Sequence, residues 1–107
     1  MGSIIIKLNP QKLTNPDLDL RYLIPDKIEE ATNGKVTDNG YDYLDDSEKS
    51  IAIFLKSSDP KTDVENVLDI LKGNTFLDNN IYETSDIYTS DIDNADISDS
   101  KIVRQSD

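Results

Sequence analysis

The chain of 107 residues contains no cysteine and no histidine. The first absence excludes disulfides and thiolate chemistry. The second removes the side chain most often used as a general base and as a transition-metal ligand. Glycine and proline number four each, which leaves little material for a loop that cradles phosphate. No Walker-type phosphate loop, dinucleotide-binding glycine pattern or nucleophile elbow occurs in the chain. No apolar run approaches the ~20 residues of a membrane-crossing helix, and Ile4-Ile5-Ile6 is too short for the apolar part of a secretory signal. The expectation is a cytoplasmic chain that is not an enzyme and carries no cofactor and no metal.

Positive charge is also scarce. Eleven Lys and Arg face 22 Asp and Glu, for a net charge of −11. Nucleic acid and anionic membranes are themselves negative, so neither is an expected partner. An acidic surface suits a basic protein partner, although many soluble proteins are acidic with no partner at all. The abundance of acids makes any pair of carboxylates uninformative about hydrolase chemistry. The run Asp91-Ile92-Asp93-Asn94-Ala95-Asp96 fails as a calcium loop, because Ala95 stands at the fifth position and Asp96 where the turn glycine belongs. Asp42, Asp45 and Asp46 would at most hold a cation weakly.

What is present is a single domain's worth of chain. The apolar fraction of 36% is low and concentrated in residues 1–77. Ile4 to Leu8 reads as a first, central strand. Asn15-Pro16-Asp17 is a helix-start pattern, but Pro25 predicts an interruption, with one helix ending near Leu23 and a second over Pro25–Asn33. An extended Leu18–Ile24 is the alternative. Lys35-Val36-Thr37 opens a second strand, and Asp38-Asn39-Gly40 is either a tight turn or a bulge before Tyr41–Leu44. Ser50–Lys56 follows as a strand after a short hairpin loop. Val64, Val67, Leu68 and Leu71 lie on one face of a helix that opens at Asp59-Pro60 and ends at Lys72-Gly73. A last strand is placed at about residues 86–90.

The fold class expected is therefore α+β, an antiparallel sheet of about four strands with two helices packed on one face. The element order is that of the split β-α-β, ferredoxin-like arrangement. Residues 1–92 form the domain and residues 93–107 a polar acidic tail, loosely held. Within the C-terminal part, Ile87, Ile92, Ile97 and Ile102 recur every five residues, each two residues after a small one. These segments resemble pentapeptide repeats, a family in which such residues point into a square β-helix and some members mimic DNA. The resemblance spans about one turn of such a helix.

The stretch that combines anchors with charge is Tyr41, Asp42, Tyr43, Asp45, Asp46 and Glu48. Tyrosine gives contact area at low entropic cost and is enriched at interfaces, while acids steer a basic partner. Strand alternation puts Tyr41 and Tyr43 on one face, both in the core or both out of it. With Asn15-Pro16-Asp17 to Ile24-Pro25-Asp26, Asn39-Gly40-Tyr41-Asp42-Tyr43, the apolar strand and the Asp59-Pro60 helix, the chain resembles the small acidic immunity proteins of bacterial toxin–immunity systems. The resemblance covers roughly residues 15–72. It implies a cognate toxin, often a nuclease, whose basic cleft is plugged by acidic side chains. A small-molecule-sensing regulatory domain and a DNA mimic are the other readings.

Overall fold

The computed structural model describes residues 2–106. Strand β1 (Gly2–Leu8) is followed by α1 (Leu20–Ala31), β2 (Val36–Tyr43), β3 (Ile51–Ser57), α2 (Pro60–Gly73), a single-turn α3 (Ile81–Thr84), β4 (Ser85–Ser90) and β5 (Lys101–Arg104). One α+β unit results, with a five-stranded sheet in the order β2-β3-β1-β4-β5. Every neighbouring pair is antiparallel.

Period-two alternation makes one face of the sheet the core. Ile4, Ile6 and Leu8 of β1 stand beside Ile51, Ile53 and Leu55 of β3. Leu20, Ile24 and Ile28 of α1 pack on this layer, with Val64, Val67 and Leu71 of α2. Phe76 and Ile81 close the core beyond the end of α2. α2 matches its predicted bounds. Its start is fixed by Asp63, a buried carboxylate that accepts a 2.6 Å hydrogen bond from Ser57 Oγ at the end of β3. Asp59 stands at the N-cap position without a side-chain cap bond.

Two helical expectations are corrected. Asn15-Pro16-Asp17 does not start a helix; α1 begins at Leu20. It then runs unbroken through Pro25, which is buried inside it. An interior proline costs about 3 kcal/mol. Burying Leu20, Ile24 and Ile28 at helical spacing contributes about 1.5–3 kcal/mol each, which offsets that cost.

The C-terminal part departs furthest from expectation. The sheet has five strands rather than four, because residues 101–104 of the expected tail pair with β4. Between them, residues 91–96 cross the face of the sheet opposite the helices. Ser3 Oγ donates to Ile92 O at 2.8 Å and accepts from Ala95 N at 3.3 Å. Ala95 is thereby buried, and Asn94 Oδ1 accepts from Asn39 Nδ2 at 2.7 Å. Arg104 secures β5 by donating from Nε to Tyr82 O at 2.9 Å and stacking 4.0 Å from the Tyr82 ring centroid. The isoleucines five apart share no interior: Ile87 is fully buried, whereas Ile92 and Ile102 are 57% and 48% exposed. Their spacing marks a strand, a crossing segment, a single helical turn at Ile97–Asp99 and an edge strand, not turns of one β-helix. Among the described residues, no helix is long and apolar enough to cross a membrane.

A candidate interaction surface at the β2 edge

β2 is an edge strand, and its conformation decides where its tyrosines point. Val36 pairs with Ser57 and Asp38 with Leu55, yet Tyr41 pairs with Ile53 and Tyr43 with Ile51. The register slips by one residue between Asp38 and Tyr41, so even-numbered side chains share the helix side before the slip and odd-numbered ones after it. Such a slip moves every later side chain to the other face. Gly40 makes it possible with φ of +93°, a conformation L-residues rarely adopt. Its N–H is held by Asp38 Oδ1 at 2.9 Å. Asn39-Gly40 is therefore a bulge within one strand, the second of the two conformations open to it.

The bulge turns Tyr41 and Tyr43 toward the helix side, but beyond the limit of the core. Tyr41 is 38% and Tyr43 54% exposed. The two rings meet edge to face at 5.7 Å, and Tyr41 meets Tyr22 of α1 in the same manner at 6.1 Å. The Arg21 guanidinium lies 4.3 Å from the Tyr22 ring centroid and 5.1 Å from that of Tyr41. Arg21 Nη1 also donates to Leu18 O at 2.8 Å. Its pKa is pushed above the usual arginine value, chiefly by the Tyr22 hydroxyl, against partial desolvation and with help from Tyr41. The result is a row of exposed aromatic rings with a stacked arginine, side-chain types that dominate binding energy at protein interfaces.

An apolar groove continues this row. It has a volume of about 240 Å³, is walled by Leu8, Leu13, Leu18, Leu20, Tyr43 and Ile51, and has Asp17 and Lys49 at its margin. Leu18, 53% exposed, and Tyr43 stand at its rim. The connection carrying Leu13, Asp17 and Leu18 is clamped by the buried Asn79. Asn79 Oδ1 accepts from Asn15 N at 2.8 Å, and its Nδ2 donates to Asn15 O at 2.7 Å and to Phe76 O at 3.0 Å.

Of the acidic residues expected beside the tyrosines, Asp46 and Glu48 turn to other partners. Asp42 pairs opposite Ala52, on the face away from the helices, and borders a shallow depression with Tyr41, Phe54 and Asn94. Asp46 accepts from Ser50 N at 2.9 Å and lies 3.8 Å from Lys7 Nζ. Glu48 accepts from Asn9 Nδ2 at 3.1 Å. Asp45 is exposed. Asp46 and Glu48 thus order the β2–β3 hairpin, while Tyr41 and Tyr43 are the predicted residues the fold brings together. Arg21, Tyr22 and Leu18 complete the surface and were not foreseen. The available signal was helical: once Leu20, Ile24 and Ile28 form the inward stripe, Arg21 and Tyr22 fall off it. Among the described residues, no group of three acids is placed to hold a metal ion.

The hairpin carries a pH dependence. The Asp46 carboxyl is held below its usual range, first by the Ser50 backbone N–H and less by Lys7, against some desolvation. A depressed folded pKa stabilises above the unfolded value and is lost as pH falls through the folded one. Asp46→Ala is therefore expected to lower the melting temperature at neutral pH. The gap to the parent narrows as pH drops from the ordinary aspartate range to below the depressed value. Melting curves of both proteins across that range check this.

No protein-family model, curated protein or solved structure matches this chain.

Proposed function

We propose that this chain is a non-enzymatic immunity protein, which binds and neutralises a cognate basic toxin in the bacterial cytoplasm. The observation that carries this reading is the exposed row Tyr22–Tyr41–Tyr43 with Arg21 stacked on it. It sits on a chain of net charge −11. The aromatic row supplies anchors, and the charge steers a basic partner and adds salt dependence. Asp42 and Asp45 flank Tyr43 in sequence and widen the acidic field around it. The order β2-β3-β1-β4, with β1 and β2 parallel to each other and β3 between them, supports the ferredoxin-like reading, with β5 added beyond β4. That superfold serves many functions, so the site rather than the fold carries the proposal.

The test is co-expression with basic toxin domains encoded beside the chain in its own genome. Restored growth with one of them, and a complex whose affinity falls as salt rises, is the expected result. Toxicity unrelieved by the chain across those domains, with no complex formed, would sink the proposal.

A further inference from the structure

The groove beside Tyr43 has features that charge steering alone does not need. Its lining is mostly apolar. Leu8, Leu20 and Ile51 form a buried floor, and the apolar surface that meets water is that of Leu18 and Tyr43 at the rim, which burial against a partner would remove from water. It is preformed: Asn79 pins the Asn15 backbone from both sides, and β1 and β3 supply Leu8 and Ile51 from the core sheet. A rigid site binds without paying to order itself. Its volume of about 240 Å³ gives room for one large side chain rather than a cofactor. Asp17 and Lys49 balance each other in its lining, so the preference for a cationic neighbour comes from the net charge of −11 on the whole chain.

We infer that the groove receives a single large apolar side chain, aromatic or long aliphatic, projecting from a basic segment of the partner protein. This deepens the inhibitor reading above and rests on it. The anchor descends between Leu18 and Tyr43 onto Leu20 and Ile51. Flanking Lys or Arg side chains of the same segment lie against the acidic surface. Tyr41 and Tyr22 cover the adjoining contact. The acids thus accelerate encounter, while the buried anchor slows dissociation.

The experiment uses the full chain, isotope-labelled, titrated by NMR with two synthetic peptides of equal charge. In one, a tryptophan sits between glycines flanked by lysine pairs; in the other, alanine replaces it. The tryptophan peptide is expected to bind at least about tenfold more tightly, with shifts centred on the methyl groups of Leu13, Leu18, Leu20 and Ile51. Tyr43→Ser, an exposed position that leaves the melting temperature close to the parent's, should bring its affinity toward that of the alanine peptide. Equal, salt-dependent affinities for the two peptides would overturn the groove assignment while leaving charge-complementary inhibition standing. So would a preference that survives both Tyr43→Ser and Leu18→Ser, or shifts centred elsewhere. Failure of both peptides to bind overturns the inference too, and the co-expression experiment then judges the inhibitor reading separately.

Discussion

Asn79→Ala is expected to destabilise the protein by about 2–3 kcal/mol, a fall in Tm of about 10 °C or more for a chain of this size. Asn79 is 1% exposed and its amide is committed in every direction. It accepts from Asn15 N and donates to Asn15 O, Phe76 O and, at 3.3 Å, Leu77 O. Removing it leaves the Asn15 N–H without a partner at a partly buried seam and takes one of two hydrogen bonds from each of the Asn15, Phe76 and Leu77 carbonyls, which keep those from Asp17 N, Asn79 N and Asn15 Nδ2. Asn79→Asp should be no better, since its carboxylate keeps the bond from Asn15 N but faces the carbonyl oxygens. Asn15→Ala is the control. The clamp grips the Asn15 backbone, so this variant loses only the 3.3 Å bond from Asn15 Nδ2 to Leu77 O and should change stability by about 0.5 kcal/mol or less. Denaturant melts of the three variants decide it. An Asn79→Ala protein as stable as the parent would show that the seam draws its bonds from water instead.

Tyr41→Ala and Tyr43→Ala are each expected to weaken binding of the proposed toxin partner by about 2 kcal/mol or more, roughly thirtyfold, as central aromatic anchors do. Most of the loss should appear as faster dissociation. Both side chains are substantially exposed, so stability should change by only about 1 kcal/mol or less. Asp42→Asn is the informative contrast. Asp42 projects from the opposite face of β2 to Tyr43 and only borders Tyr41, and its replacement should slow association and flatten the salt dependence, with little change in dissociation. Surface-resonance kinetics at two salt concentrations separate these effects. Wild-type dissociation from both tyrosine variants, together with fast dissociation from Asp42→Asn, would move the binding face to the opposite side of the sheet.

Much of the fold could be read locally. The alternating β1 and β3, the amphipathic α2 with its proline start and glycine end, and the short hairpin loop each announce themselves within a few residues. α1 could not be read this way. Asn15-Pro16 has every local mark of a helix start, but the Asn15 backbone is taken by Asn79, a residue far along the chain. Pro25 has every local mark of a helix break, but the inward stripe of α1 outweighs one lost hydrogen bond. In both cases a tertiary contact overrides a local preference. The expected tail misled for a related reason. Its polar composition is real, yet an edge strand and a segment crossing the open face need few apolar residues, because backbone pairing and the two bonds of Ser3 hold them.

The candidate surface divides along the same line. That the protein is acidic, without histidine or cysteine, and that Tyr41 and Tyr43 share one face, follows from residue identity and the twofold period of a strand. Those properties need no knowledge of distant partners. Which face the tyrosines take was decided only by the bulge at Gly40, since one inserted residue reverses the sides of everything after it. That Tyr22 and Arg21 meet them, that Asp46 and Glu48 turn away to Lys7 and Asn9, and that a clamped apolar groove opens beside Tyr43 were decided by the packing of α1 against the sheet edge. Those contacts join residues distant in sequence, and their geometry exists only once the core between them has formed.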